Sequence, residues 1–168
     1  MIIFETPRLI VRRFTGNDYE NFFALNGDPD VMKYIRTVRT RAECDMALHD
    51  QILVPKPHEW FGRWAVDVKD NGVFAGSFVI VPIPGDEEKI QLGYALLPAF
   101  WGKGYATELT KAGIEYFRDR TPLDILYAVT ETPNIASENV LVKNGFQFLN
   151  TKMEEGKELR VFKICRES

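Results

Sequence analysis

Lys89-Ile-Gln-Leu-Gly-Tyr-Ala-Leu-Leu97, Pro98-Ala-Phe-Trp-Gly-Lys-Gly104 and Tyr105-Ala-Thr-Glu-Leu-Thr-Lys-Ala-Gly-Ile-Glu-Tyr-Phe117 follow one another without a break. The first piece alternates Gly93 and Ala95 against Ile90, Leu92, Tyr94 and Leu96, the period of a strand. The last carries Ala106, Leu109, Gly113 and Phe117 on one stripe, the period of a helix. Between them, Gly102 and Gly104 permit a sharp turn whose N–H groups point one way. Those amides and the positive end of the helix make an anion site, suited to phosphate. The turn lacks the Gly-x-x-x-x-Gly-Lys-Ser/Thr loop, and Thr107 stands in the third glycine place of Gly-x-Gly-x-x-Gly. Taken alone, Gly-Lys-Gly also fits a tight turn that binds nothing.

Working outward, Leu96-Leu-Pro-Ala-Phe-Trp-Gly-Lys-Gly-Tyr-Ala-Thr107 resembles the acetyl-CoA pyrophosphate loop of GNAT N-acetyltransferases. In the pattern Arg/Gln-x-x-Gly-x-Gly/Ala, the three fixed places fall on Trp101, Gly104 and Ala106. Trp101 departs from the usual Arg or Gln, as in the ribosomal-protein (alanine) N-acetyltransferase-like branch. Thr6-Pro-Arg-Leu-Ile-Val-Arg12 and Asn134-Ile-Ala-Ser-Glu-Asn-Val-Leu-Val-Lys-Asn-Gly-Phe146 extend the resemblance over most of the chain.

The 168 residues suit a single domain, 1–168, that buries roughly 70% of its unfolded surface. A formal charge of -3 argues against general nucleic-acid binding. No apolar run has the length of a membrane span, and Met1-Ile-Ile-Phe-Glu lacks the pattern of a signal peptide. Cys44 and Cys165 have no metal-like spacing and are expected as buried free thiols in a reducing compartment, the cytoplasm. His49 and His58 likewise form no metal pattern.

In order, Arg8 to Phe14 reads as a first strand near an edge, and Tyr19–Asn26, Asp28 to Ile35 and Thr40 or Arg41 to Leu53 as three helices, the last ended by Pro55 and Pro57. Phe61–Lys69 and Val73–Pro82 form a hairpin about Asp70-Asn-Gly72, and Pro84 to Lys89 is a solvated loop. After the strand–turn–helix unit comes a fifth strand, Asp124–Thr130, which a crossover helix makes parallel to the fourth. A helix from Asn134 to Asn144, stopped at Gly145, precedes a closing hairpin of Gln147–Lys152 and Leu159–Cys165. This is an α/β fold: a mixed, mostly antiparallel sheet of about seven strands with flanking helices. The resemblance adds that the fourth and fifth strands splay apart, and that the early helices wall the acceptor groove.

The resemblance implies acetyl-CoA as cosubstrate and direct attack by a primary amine on its thioester. The amides of Gly102, Lys103, Gly104, Tyr105, Ala106 and Thr107 would hold the pyrophosphate. Leu96 and Leu97 would bond the pantetheine arm, with a backbone N–H near Leu97 facing the thioester oxygen. Lys103 is placed to screen phosphates or simply to be solvated. Tyr105 and Trp101 cover the cofactor's flank, with core burial the alternative for Trp101. Gly93 and Ala95 clear space on one strand face or allow close helix packing.

Asn134 matches the family asparagine that reaches the cofactor. Ser137 is the expected acid for the departing thiolate, because Leu141 occupies the place of the tyrosine many relatives use. The usual strand glutamate is replaced by Gln91, which holds a water but accepts no proton. Glu131, Glu158 and Glu59 are the alternative carboxylates. An α-amine, with a pKa near 7.7–8.0 against roughly 10.4 for lysine, needs less help from a base. The branch implies a protein N-terminus as acceptor, including that of a ribosomal protein. A small amine such as a polyamine or drug is the alternative, and a CoA-binding module without catalysis or a nucleotide-binding module are others. Arg36-Thr-Val-Arg39-Thr-Arg41 reads either as a site for an acidic peptide or RNA or as a solvated loop. The expected state is monomer or homodimer.

Overall fold

The computed structural model describes residues 1–54 and 60–166. Its framework is an eight-stranded sheet in the order β1-β2-β3-β4-β5-β6-β8-β7. The strands are β1 (Ile2–Glu5), β2 (Leu9–Arg13), β3 (Gly62–Val68), β4 (Phe74–Ile83), β5 (Asp86–Leu96), β6 (Ile125–Glu131), β7 (Gln147–Glu154) and β8 (Lys157–Cys165). The helices are α1 (Tyr19–Asn26), α2 (Pro29–Met32), α3 (Arg41–Ala47), α4 (Tyr105–Arg120) and α5 (Ile135–Lys143). Every neighbouring pair is antiparallel except β5 and β6.

Several expectations are corrected. The sheet has eight strands rather than about seven, because Ile2–Glu5 pairs with β2 and takes the edge. The stretch from Asp86 to Lys89 lies in β5, so β4 and β5 form a hairpin about Pro84-Gly85 and not two strands joined by a charged loop. The third helix changes to a π-helical turn over Leu48–Ile52. Cys44 is buried as expected, whereas Cys165 at the end of β8 is exposed. Pro55, Pro57, His58 and Glu59 lie outside the described residues.

Alternation along the strands divides the core in two. Leu92 and Leu96 of β5 join Trp64, Val66, Phe78 and Leu126 under α4 and α5. Ala65 and Ala95 face the other way, against Phe22, Leu25, Cys44 and Leu48 of the early helices. The acid–base network that anchors these helices is Arg12 with Asp18 and Asp67. Arg12 Nη1 donates to Asp18 Oδ2 at 2.8 Å, and its Nε donates to Asp67 Oδ2 at 2.6 Å. Burial pushes the Asp18 carboxyl up, but bonds from Arg12, Asn21 and the Thr15 amide outweigh it and hold the pKa at about 2. A depressed carboxylate stabilises above its unfolded value of 3.8, and that contribution is lost as pH falls through about 2. The contribution at neutral pH is about 2 kcal/mol. Unfolding free energies measured from pH 6 to pH 2 should fall over the acid end for the natural chain. Asp18→Asn should start lower and lose the part of the slope that Asp18 supplies.

Gly76 marks the tightest approach in the sheet. A Cβ there would stand 2.0 Å from the Ala95 carbonyl oxygen, a backbone atom that cannot swing away. Gly76→Ala must therefore part β4 from β5 locally. The expected cost is about 3 kcal/mol, lowering Tm by roughly 6–12 °C in a thermal melt. An unchanged melting temperature would contradict this packing.

Candidate active site

A cleft of about 990 Å³ runs from the turn before α4, through the gap between β5 and β6, to the segment between α2 and α3. Its shape follows from hydrogen-bond parity. The Leu97 amide donates to Ala75 O at 2.8 Å. Ala95, Gly93 and Gln91 share that parity and exchange bonds with β4, whereas Leu92, Tyr94 and Leu96 direct theirs toward β6. The β5–β6 ladder is registered at Gln91↔Tyr127 and not beyond. The strands part there, and the amides of Tyr94 and Leu96 open into the gap. The Leu97 N–H itself is committed to β4 and its side chain packs against the early helices, so the open amide near Leu97 is that of Leu96.

At the mouth of the cleft, Gly102 and Gly104 have φ of 71° and 81°, the left-handed region that glycine adopts freely. Gly104 is the N-cap of α4 and supplies no side-chain cap. The first-turn amides of a 16-residue helix are thus left for a ligand. The residues present fit the diphosphate of coenzyme A, since Gly102, Gly104, Tyr105, Ala106 and Thr107 all line the cleft. Lys103 does not line it. Its side chain is exposed, and its carbonyl accepts a bond from Arg8 Nη1 at 3.0 Å.

That bond belongs to a brace whose role is not visible in the sequence. Arg8 Nε donates to Glu108 Oε1 at 2.8 Å, its guanidinium lies 4.2 Å from the centre of the Tyr105 ring, and Thr6 Oγ1 also donates to Glu108. Burial raises the Glu108 carboxyl, but the bonds from Thr6 and Arg8 prevail and hold it below the usual carboxylate range. The Thr6-Pro-Arg8 stretch therefore ties β2 to the first turn of α4 and steadies the loop. Trp101 is not a core residue but 48% exposed, and its Nε1 donates to Leu96 O at 2.7 Å.

Deeper in, Asn134 caps α5 by accepting from the Ser137 amide at 3.3 Å, and both residues line the cleft. Arg160 of β8 holds the same helix through Glu138 at 2.9 Å. Ser137 Oγ lies 3.3 Å from the hydroxyl of Tyr94. Burial keeps the Tyr94 phenol above its ordinary pKa, opposed by the weaker effect of that bond, so it is protonated at neutral pH. Leu141 is 2% exposed and belongs to the core. Tyr94, a strand residue, brings its phenol beside Ser137, a contact that its place in an alternating strand does not announce.

Gln91, Gly93 and Ala95 face the other side of the sheet, the side of the early helices. Gly93 lines the cleft on this face, and Ala95 packs there against the cluster of the early helices. Tyr127 and Glu131 share that face, being in register with Gln91. Glu131 lines the cleft but pairs with Lys157 at 3.4 Å. Glu158 accepts from Thr132 Oγ1 at 2.8 Å outside the cleft. No cluster of potential metal ligands occurs among the described residues.

Residues 8–147 match the family described as Acetyltransferase (GNAT) domain. The chain belongs to the GNAT acetyltransferases. This GNAT protein is 28% identical over 146 residues to an uncharacterized N-acetyltransferase, YoaA, of Bacillus subtilis, covering 86% of this chain and 82% of that one. Its fold is similar to that of a GNAT acetyltransferase from Bacillus anthracis, with a TM-score of 0.83 at 23% identity over 98% of both chains. It also superposes on RimL, a ribosomal L7/L12 alpha-N-protein acetyltransferase in complex with coenzyme A, with a TM-score of 0.74 at 15% identity over 98% of both chains. The GNAT chain is therefore an acetyl-CoA-dependent N-acetyltransferase. No helix among the described residues is long and apolar enough to cross a membrane.

Proposed function

We propose that this GNAT enzyme acetylates an α-amine, that of a peptide or protein N-terminus, by direct attack within the cleft. The observation that carries the reading is Gln91, an amide lining the cleft on the side of the early helices, where the resemblance implies a glutamate base. With Glu131 occupied by Lys157, proton removal falls to water held by Gln91. An amine that is already partly neutral suits that arrangement. At pH 7, roughly a tenth of an α-amine is neutral, against less than a thousandth of a lysine amine. The fold likeness to RimL, an alpha-N-protein acetyltransferase, is in keeping with this choice, and a ribosomal protein would be one such acceptor.

Bound acetyl-CoA supplies an acyl thioester, whose C–S bond breaks as the C–N bond forms. The amides of Gly102 to Thr107 hold its diphosphate. The amide of Leu96, which opens into the gap beside Leu97, polarises the carbonyl. Ser137, backed by the protonated Tyr94, delivers a proton to the departing sulfur. Gln91 orients the water that receives the amine's proton.

Acetylation of a peptide with a free N-terminus, compared with an N-blocked lysine peptide from pH 6.5 to 10, tests the reading. The α-amine should be preferred by about 100-fold near pH 7, with the gap closing as pH rises toward the lysine value. Preference for the lysine peptide at neutral pH would remove it.

A further inference from the structure

The acceptor end of the cleft is walled by three guanidinium groups. Arg36 and Arg39 stand between α2 and α3, Arg63 near the start of β3, and all three line the cleft. None has a side-chain hydrogen bond or an ion pair with another described residue, whereas Arg8, Arg12, Arg41 and Arg160 each pair with a carboxylate. The three also oppose one another. Loss of solvent first, then the charges of Arg39 and Arg63, push Arg36 down to about 10; Arg63 keeps an exposed side chain, and the surrounding protein and then Arg39 shift it in the same direction.

Among the described residues, the nearby carboxylates do not answer this charge. Glu131 is bound to Lys157, and Asp45 to Arg41. Glu43, which feels Arg39, is engaged in the capping box of Thr40. Asp30 lines the cleft without pairing to any of the three, and Lys33 lines it too. Like charges gathered on one concave wall cost stability, and a ligand carboxylate relieves that cost through forked, charge-assisted bonds.

Register says where such a carboxylate would lie relative to the reacting amine. Arg63 pairs with Val79, and Val79 with Gly93, so the three share one row and one face of the sheet. Gln91 lies on that face two residues along β5 from Gly93. Two strand spacings, about 10 Å, separate the Arg63 backbone from Gly93, and an arginine side chain spans most of that distance. Gly93 puts no side chain in the way.

We propose that the acceptor is anionic: its amine belongs to a free amino acid or peptide whose carboxylate, within one or two residue lengths of that amine, is held by Arg36, Arg39 and Arg63. The inference rests on the cleft being the site of acetyl transfer. It excludes cationic polyamines, which would meet three like charges.

The test measures CoA release with two matched pairs, L-glutamate against L-glutamine amide and Ser-Glu-Glu amide against Ser-Gln-Gln amide, with spermidine as a fifth acceptor. The acid of at least one pair should show kcat/KM at least about tenfold above its neutral partner. The pair that discriminates identifies a free amino acid or a peptide as the source of the carboxylate. R39Q/R63Q should abolish the preference by raising KM for the acid alone, and R39K/R63K should restore part of it, while KM for acetyl-CoA stays put. Equal rates within both pairs, a preference for spermidine, or no turnover of any acceptor while calorimetry still detects CoA would overturn the anionic acceptor and leave the acetyl-transfer site standing. Absence of calorimetric heat from CoA would remove both.

Discussion

Replacing Gly104 by valine is expected to raise the KM for acetyl-CoA about 100-fold while leaving the melting temperature within a few degrees of its natural value. Gly104 has φ of 81° and ψ of 2° at the N-cap of α4. A β-branched residue is a true outlier in that region. Space is not the objection, because the nearest atom to an added Cβ would be Arg8 Nη2 at 3.4 Å, an ordinary contact. The dihedral is. To escape it the chain must rotate the peptide units on either side, which turns their N–H groups away from the cleft. Losing two bonds to a charged diphosphate, at roughly 1.5–3 kcal/mol each, corresponds to at least two powers of ten in affinity. Stability should change little because the turn is exposed and α4 remains braced by Arg8 and Glu108. Calorimetric Kd for CoA, KM for acetyl-CoA and Tm on the same preparation check the split. Unchanged affinity would mean that these amides do not grip the diphosphate.

Ser137→Ala is expected to lower kcat by about 100-fold, and Tyr94→Phe by about tenfold, with KM for acetyl-CoA nearly constant. Protonation of the sulfur as the C–S bond breaks assists its departure. Ser137 faces the gap, and Tyr94, 3.3 Å away, replaces the proton that the serine gives up. Burial holds the phenol in its protonated form, so the pair is charged with a proton at neutral pH. Because the two hydroxyls act in series, the double variant should be little worse than Ser137→Ala alone. Steady-state kinetics of the three variants with one acceptor decide the matter. A fully active Ser137→Ala would reduce that hydroxyl to a neighbour of Tyr94, and additive losses would break the relay.

Much of the frame was legible because local rules carry it. The turn from Pro98 to Gly104 announces itself through glycines that need positive φ, and the stop at Gly145, with φ of 96°, is of the same kind. Tyr19–Asn26 was bounded correctly by its turn residues. Where local rules are weak, tertiary pairing decides the outcome. Ile2–Glu5 spans 4 residues, too few to display a period, and becomes a strand only because β2 offers it an edge. The charges from Asp86 to Lys89 suggested a loop, yet they extend a hairpin whose partner is already in place. Residue type places Cys165 in the core and leaves core burial as an alternative for Trp101, and both prove exposed, on a strand end and a loop surface.

The candidate site divides in the same way. From the residues alone came the glycine turn, the strand before it and the helix after it, while the roles expected of Asn134, Ser137 and Gln91 came from the resemblance. Tertiary structure decided the rest. Parity against β4 left the amide of Leu96 open and committed that of Leu97, the crossover brought Tyr94 to Ser137, and the sheet set Arg63 on the same wall as Arg36 and Arg39. The physical reason is that hydrogen-bond direction, proximity and mutual charge are relations between strands and helices far apart along the chain. Sequence spacing carries periodicity and dihedral preference, and only the assembled sheet converts these into a shared cleft.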